Sequence, residues 1–455
     1  MFRRRFLVNI LIWILAFFFG YSVKREGESV NLLKTDARMV LDIDGKNISD
    51  KIRNINEQLA QRVQFETITF NIPTDFPNLQ KAITKLSEKK VKHGVTILLN
   101  IESGYQIKEA LSLRNGDYSH FRIVSTDNEV LLSETFPKVI FAKFNNCRAP
   151  ILATIINGQG KCTNGWYLDN GSTGHVEAGC GFTHAGTTNL YVTGGSVVHA
   201  EGGIFTDASQ DGSSESGGAG IFAWGGQVFA EGSDVSNSLT YGVQGAHGGK
   251  VSFRGGIANN CGRHGIRGTN SGIVDGRGAQ VNDCGVYGVY SLSGSVVNAY
   301  SVSAKNCGTA GLFASQLGTI NGREAIVDGS EIGVKADRGS SVEFYMGSAI
   351  GCISRGIEVT SGSRVDANMS TVTGTVTAKV GHGVVCDYGS HVNVSNATVS
   401  GSGGKDLFIN HGSTITAHIC NTTNSTANKP IESDTNVTTF NEPFSYFGII
   451  WASDV

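Results

Sequence analysis

Glu343 and Asp366 are the two carboxylates whose spacing best suits cleavage of a glycosidic bond. They lie 23 residues apart, which is also the period of the repeat in this part of the chain. Hydrolysis of a glycosidic bond uses two carboxyl groups about 5 to 9 Å apart, one on each side of that bond. Stacked repeats would place these side chains on neighbouring strands at about 5 Å. A second acidic set consists of Asp207, Asp211 and Glu215.

Elimination from a uronate would use different side chains. A lyase needs a base and a cation near the sugar carboxylate, and Arg, Lys, His or Tyr can supply them. His264, Arg267 and Tyr290 lie in two successive repeats and fit this description. Hydrolysis and elimination are therefore separate hypotheses.

Aromatic and cationic side chains also recur at the repeat spacing and suit sugar binding. Aromatic rings stack on pyranose rings, and Arg binds hydroxyl and uronate groups. The candidate substrate-binding residues are Trp224, Arg254, Arg267, Arg277, Tyr290, Tyr300, Arg323 and Tyr345. The simpler interpretation is that any stacked repeat needs a polar outer surface, and that the aromatic residues bury an interface between three copies of the chain.

The composition argues against several other functions. The formal net charge is −2 over 455 residues, so the basic field that nucleic-acid binding requires is absent. The nine cysteines contain no CxxC pair, and no Cys/His spacing suits a metal, so no metal site is predicted. The GxG strings belong to the turns of the repeat, so no dinucleotide or other cofactor is predicted.

The element that must position the candidate residues is a repeat of about 23 residues. The segments GRHGI, GVYGV and GTAGL begin at positions 262, 285 and 308. Aliphatic columns keep this register and alternate at the period of a strand. The first column is Ile221, Val243, Ile266, Val289, Leu312, Val334, Ile357, Val384 and Leu407. The second is Val228, Val251, Val274, Val297, Ile320, Val342, Val365, Val392 and Ile415. A third, shorter column is Ala258, Val281, Ala304 and Val327. An all-β fold, a parallel β-helix with three strands per coil, is predicted.

Four cysteines follow the same register. Cys261, Cys284 and Cys307 repeat every 23 residues, and Cys352 follows 45 residues later, with Ser330 in the coil between. Such positions form one interior row, and small thiols fill a row of this kind well. A ladder of buried free thiols is predicted, because stacked rows rarely offer disulfide geometry.

Five segments are predicted along the chain. Residues 1–25 contain an apolar run that just reaches the span of a bilayer core, and they form either a membrane anchor or a helix in a virion socket. Residues 26–64 form a stem with a short coiled-coil-like helix. Residues 65–160 form a cap region in which an amphipathic helix closes the β-helix. Residues 161–420 are the β-helix, and residues 421–455 form an apolar tail that stabilises a trimer.

One segment exceeds the repeat length. Between Ile204 and Ile221 the chain carries about eight extra residues. Residues 206–218 are predicted to loop out, because the flanking columns keep their register. Loops of this kind often carry function in repeat scaffolds.

The arrangement resembles bacteriophage tailspike proteins with a pectate-lyase-like β-helix. The likeness rests on the segment FPNLQKAI at 76–83, on GVTILL at 94–99 and on the Gly/Ser coils that follow, and it covers about residues 65–420. It implies a right-handed, single-stranded β-helix with an N-terminal helical cap and stem. It also implies a homotrimer on the virion tail, attached to a tail or baseplate protein, that binds and often cleaves host capsule or lipopolysaccharide. The alternatives are a non-enzymatic adhesin spike and a membrane-anchored bacterial surface protein.

Overall fold

A computed structural model describes most of the chain. It covers residues 67–88, 95–211, 218–377 and 381–422, together with the backbone of residues 21–26, 29–34 and 448–451. The predicted anchor residues 1–20, the coiled-coil-like segment of the stem and Glu215 lie outside the described residues.

The described chain is a parallel β-solenoid of about 14 coils with almost no helix, which confirms the predicted fold class. Two long parallel sheets run its length. Sheet A has 13 strands and sheet B has 16. Sheet A consists of Leu111–Arg114, Ala142–Asn145, Asn164–Asp169, Thr188–Thr193, Ala219–Trp224, Tyr241–Ala246, His264–Thr269, Tyr287–Leu292, Ala310–Ser315, Ile332–Ala336, Arg355–Val359, His382–Cys386 and Leu407–Ile409. Sheet B consists of Ile68–Ile72, Ile97–Ile101, Phe121–Ser125, Arg148–Ala153, Thr173–Val176, Val197–His199, Gln227–Phe229, Lys250–Ser252, Ile273–Asp275, Val296–Asn298, Thr319–Asn321, Ser341–Glu343, Arg364–Asp366, His391–Asn393, Ser413–Thr416 and Gly448–Trp451.

The aliphatic columns form the core, as the sequence predicts. Each residue of the first column pairs with the next residue of that column in sheet A, for example Val243 with Ile266 and Ile266 with Val289. The second column pairs in the same way in sheet B, where Val274 lies between Val251 and Val297. The side chains of both columns are buried. A repeat of constant length stacks equivalent residues, so the interior rows follow from the period alone.

The third strand of each coil is shorter than predicted in the middle of the solenoid. Among the described residues, full strands occur only near the two ends, and single bridges such as Ile257 to Gln280 and Gln280 to Ser303 connect the coils between them. The full strands are Val130–Leu131, Ile155–Asn157, Gly181–Thr183, Ser348–Ile350, Thr371–Thr373 and Thr398–Ser400.

The second glycine of each G-x-x-G segment permits close packing between sheet A and this third side. A Cβ atom at Gly265 would lie 2.6 Å from Cβ of Val281, and one at Gly288 would lie 2.6 Å from Cβ of Ala304. These separations are too short for any side chain. The glycine column is therefore a consequence of packing against the third aliphatic column.

The cysteine ladder is present as predicted. Cys261, Cys284, Cys307 and Cys352 are buried and free, and Ser330 takes the intervening position with its hydroxyl accepting from the backbone N–H of Cys307 at 3.1 Å. Burial raises the pKa of the Cys352 thiol to about 12. A thiol that stays protonated at neutral pH is unreactive, which fits a packing role.

The N-terminal part of the solenoid begins earlier than residue 161. Strands Ile68–Ile72 and Ile97–Ile101, inside the predicted cap region, already belong to sheet B. Between them lies the single described helix, α1 (Leu79–Leu86), which buries Leu79, Ala82, Ile83 and Leu86. Oε1 of Gln80 accepts from the backbone N–H of Ser112 at 2.7 Å, which places α1 against the terminal strand of sheet A.

Two further segments were predicted differently. Residues 206–211 do not loop out, because the backbone N–H of Asp207 donates to Ser236 and that of Asp211 donates to Gly186, both within the coil stack. Tyr21–Glu26, at the end of the predicted anchor, form an antiparallel hairpin with Ser29–Lys34. No helix among the described residues has the length and apolar character needed to cross a membrane.

Candidate functional site

The outward side chains of sheets A and B form two very different surfaces. The first, the aromatic face, comprises two outward rows of sheet A. Its residues are Tyr167, Tyr191, Phe222, Gln244, Arg267, Tyr290, Phe313 and Lys335 in one row and Tyr241, His264 and Tyr287 in the other, with Arg263 and Trp224 beside them. The second, the polar face, is an outward row of sheet B with the side chains that follow it. Its residues are Asp275, Asn298, Asn321, Glu343, Asp366 and Asn393, with Arg254, Arg277, Tyr300, Arg323 and Tyr345.

Rings stack along the aromatic face from one coil to the next. The centroids of Tyr241 and His264 are 5.1 Å apart, and those of His264 and Tyr287 are 4.8 Å apart, with both pairs close to parallel. In the other row, Tyr290 stacks on Phe313 at 5.1 Å. Stacked and offset rings at these distances attract one another beyond simple area burial. The rings thus form a platform along the solenoid axis, in which Tyr241, His264 and Phe313 are buried and Tyr287 and Tyr290 are partly exposed.

Trp224 lies at the edge of this platform. Its indole stacks on the imidazole of His247, with centroids 3.9 Å apart, and remains 42% exposed. Phe222, which contacts it edge-on, is buried. Trp224 is therefore an open aromatic surface with a supported back.

Cations lie on the rings of this face. The guanidinium carbons of Arg267 and Arg263 are 4.6 and 5.8 Å from the centroid of Tyr241, and Nζ of Lys335 is 5.7 Å from that of Phe313. Lys335 also pairs with Glu358 at 3.3 Å. Among the described residues, neither Arg263 nor Arg267 has a carboxylate within ion-pair distance.

His264 is buried between these groups. Its side chain is 3% exposed, and burial, together with the charges of Arg267 and Arg263, lowers the pKa of His264 to about 3. Its Nδ1 atom, Nε of Arg267 and Oε1 of Gln244 are buried without a hydrogen-bond partner in the described structure. A buried polar atom without a partner costs about 1 to 3 kcal/mol. Three such atoms thus lie in two adjacent coils of this face.

The three residues predicted for elimination do lie together. His264 and Tyr290 are in edge-on contact with centroids 5.2 Å apart, and Arg267 pairs with Tyr290 in the strand register. Burial and the neighbouring Tyr287 raise the pKa of Tyr290 to about 12. An imidazole with a pKa near 3 is a weak base, and a phenol with a pKa near 12 is rarely ionised at neutral pH. The geometry suits binding better than proton abstraction.

On the polar face, the charged groups satisfy one another. The carboxylate of Asp275 accepts one hydrogen bond from Nε of Arg254 at 2.7 Å and two from Arg277 at 2.8 and 2.9 Å. Partial burial tends to raise the pKa of Asp275, but the hydrogen bonds and charges of Arg277 and Arg254 outweigh it and lower that pKa. The hydroxyl of Tyr300 donates to Glu324 at 2.9 Å. Arg323 lies 3.5 Å from Glu343 and 5.0 Å from the ring centroid of Tyr345.

Glu343 and Asp366 are partners on adjacent strands of sheet B, as the sequence predicts. Oδ1 of Asp366 accepts from Nδ2 of Asn393 at 3.0 Å and from the backbone N–H of Asn368 at 3.3 Å. The two carboxylates lie side by side in one row. A glycan bound along that row would meet both from the same side, whereas hydrolysis needs them on opposite sides of the bond.

Of the alternative acidic set, the structure describes Asp207 and Asp211. Asp207 has a left-handed backbone in the turn after the third side of its coil, and its carbonyl accepts from Nε2 of Gln210 at 2.9 Å. Asp211 lies close to the position where Gly186 would carry a Cβ atom. Within the described residues, no group of three or more His, Cys, Asp or Glu side chains could hold a metal ion.

Sequence reasoning missed Tyr241, Tyr287 and Arg263. Strict alternation from the interior Ile266 assigns position 264 and its equivalents to the interior. The strand register instead skips the glycine at 265, which faces the interior beside Ile266, so the residue before it emerges on the outside. The GRHGI-type segments carry this signal, because a glycine that cannot accept a Cβ marks where alternation breaks.

Comparisons with known proteins give fold-level likenesses at most. No family model and no curated protein matches the chain. Solved structures with similar architecture include the periplasmic alginate epimerase AlgG, with TM-score 0.34, 11% identity and coverage of 78% of this chain and 83% of that one. The receptor-binding domain of the Siphovirus 9NA tailspike has a TM-score of 0.32 and 11% identity, and the match covers 85% of this chain and 76% of that one. The catalytic domain of a GH87 α-1,3-glucanase has a TM-score of 0.32 and 8% identity, and the match covers 85% of this chain and 68% of that one. These values are too low to assign a function.

Proposed function

We propose that this chain is a polysaccharide-binding spike and that a sugar chain lies along the aromatic face. The observation that carries this proposal is the continuous ladder of stacked rings with buried, partnerless polar atoms beside it. The open indole of Trp224 and the partly exposed rings of Tyr287 and Tyr290 present apolar surface, and the free acceptor and donor atoms match sugar hydroxyls. A ligand that satisfies them recovers the cost of leaving them unpaired.

The biological setting in this proposal is that of a phage tailspike. Three copies would attach through the N-terminal region to a virion tail or baseplate protein, bind host capsule or lipopolysaccharide, and act at the bacterial surface. Helix α1 would close the N-terminal end of the solenoid. The sequence resemblance to tailspikes supports this setting. A non-enzymatic adhesin and a membrane-anchored surface protein are the competing settings.

Binding is the part of the proposal that the geometry supports best. The weak base His264 and the protonated Tyr290 disfavour elimination, and the side-by-side arrangement of Glu343 and Asp366 disfavours hydrolysis. Depolymerisation therefore enters the proposal as a separate step to be measured.

The test uses the full-length chain and purified capsules and lipopolysaccharides from a panel of bacterial strains. We expect one polymer to bind, and Tyr290→Ala to weaken that binding about tenfold or more. Tyr300→Ala on the polar face is the matched control and should bind as the wild type does. Polymer chain length, measured after incubation, reports cleavage independently. Absence of binding to every polymer, or equal losses in the two variants, would refute the proposal.

A further inference from the structure

Two arginines on the aromatic face lack the carboxylate partner that Arg254, Arg277 and Arg323 have on the polar face. Arg263 and Arg267 both approach the ring of Tyr241. Asp337 is near enough to affect the pKa of Tyr287 and Tyr290. It makes no ion pair with either arginine, and its Oδ1 is itself buried without a hydrogen-bond partner in the described structure. Two cations beside one ring repel each other unless an anion joins them.

The polar face shows how this chain satisfies such a pair. There Arg254 and Arg277 converge on one carboxylate, Asp275, with N–O distances of 2.7 to 2.9 Å. Guanidinium groups bind carboxylates through paired, charge-assisted hydrogen bonds, so this arrangement is the favourable one. On the aromatic face, two arginines are present and the carboxylate is missing.

His264 supplies an uncharged hydrogen-bonding group beside the two arginines. Its Nδ1 is buried without a hydrogen-bond partner in the described structure, and with the proton on Nε2 it is an acceptor. A neutral imidazole with one nitrogen donating has an acceptor at the other. That acceptor suits a hydroxyl group, and the charged arginines on either side suit an acid.

We propose that Arg263 and Arg267 bind the carboxylate of an acidic sugar beside Tyr241, while Nδ1 of His264 accepts a hydrogen bond from a hydroxyl of the same sugar. This inference rests on the proposed function and narrows it to polysaccharides that contain uronic or other carboxylated sugars. The stacked rings of Tyr287 and Tyr290 would hold the neighbouring sugar units.

Calorimetric titration of the full-length chain tests this with tetrasaccharides of polygalacturonate, hyaluronan and alginate. Each is paired with a counterpart whose carboxyl groups have been reduced to alcohols. At least one acidic tetrasaccharide should bind about tenfold or more tightly than its reduced counterpart. Added salt should weaken binding of the acidic tetrasaccharide and leave binding of the reduced one unchanged, because only the acidic ligand is held by charge.

Variants separate the two contacts. Arg267→Gln, and to a smaller extent Arg263→Gln, should remove the preference for the acid. His264→Phe should weaken binding of the acidic and the reduced tetrasaccharides equally, because it removes the acceptor for a sugar hydroxyl that both ligands carry. Arg254→Gln is the control, since its partner is Asp275.

Three results would overturn the anion site. They are equal affinity for acidic and reduced ligands, an Arg267→Gln variant that keeps its preference for the acid, and a failure of all three acidic tetrasaccharides to bind. If a neutral polymer still binds and depends on Tyr290, the anion site fails and the proposed function stands. If no saccharide binds, both fail.

Discussion

The aromatic face and the polar face are built from the same coils but differ in how their polar atoms are satisfied. On the polar face, Asp275 holds two arginines, and Asp366 accepts two hydrogen bonds. On the aromatic face, acceptor and donor atoms of Gln244, His264 and Arg267 are buried without partners in the described structure. Stacking places like residues in rows on any solenoid, so a row by itself says little about function. This difference supports the proposal that a ligand binds the aromatic face.

The largest effect should come from removing an open ring on the aromatic face. Trp224→Ala takes away a supported, 42% exposed indole and should weaken polysaccharide binding by about 30-fold, or about 2 kcal/mol. Arg277→Ala should change binding by less than about twofold, because Arg277 serves Asp275. Affinity measurements on the two variants decide the matter. Equal losses would show that the sugar contacts both faces.

The second prediction concerns acid. The pKa of His264 is about 3 in the folded chain and about 6.5 when unfolded. Below pH 6.5 the unfolded chain takes up a proton that the folded chain does not, so stability falls by up to about 1.4 kcal/mol per pH unit until pH 3. At pH 5 the loss from this group is about 2 kcal/mol.

Denaturant unfolding at pH 7 and pH 5 measures this loss. The groups around the imidazole are the cations of Arg263 and Arg267 and the phenols of Tyr241, Tyr287 and Tyr290. His264→Phe should lose less stability than the wild type between the two pH values. The same decline in both proteins would show that His264 is protonated in the folded chain, and the contrast between the faces would weaken.

The stability that the polar face contributes should fall only at a lower pH than the contribution of His264. Because its folded pKa is lowered, Asp275 contributes stability that is fully present above its unfolded pKa near 4 and is lost as the pH falls through the folded value. Asp275→Asn should therefore cost about 1 kcal/mol at pH 7, a figure discounted because both arginines are partly exposed. The cost should be smaller at pH 3 than at pH 7. Unfolding curves at the two pH values check this, and an Asp275→Asn variant as stable as the wild type at pH 7 would contradict it.

The sequence predicts the interior much better than the faces. A constant repeat fixes which residues stack, so Ile266, Val274 and the cysteine row could be assigned from spacing alone. The predicted sugar-binding residues mixed the two faces, with Arg267 on one and Arg254 on the other. Whether an arginine meets a carboxylate depends on side chains from different coils, and the burial of His264 depends on its neighbours. The handedness of the coil, the homotrimer and the virion setting stay predictions.

The smallest effects should come from the carboxylates first suggested for hydrolysis. Glu343→Gln removes an ion pair with Arg323 whose side chains are 45% and 44% exposed, and such pairs contribute less than about 0.5 kcal/mol. Asp366→Asn leaves an amide oxygen that can still accept from Asn368 and Asn393. Neither change should alter binding, because neither residue belongs to the aromatic face. If the wild type shortens a polymer, both variants should shorten it at the same rate. If both variants lost cleavage and kept binding, Glu343 and Asp366 would instead be a catalytic pair, and the polar face would be the catalytic surface.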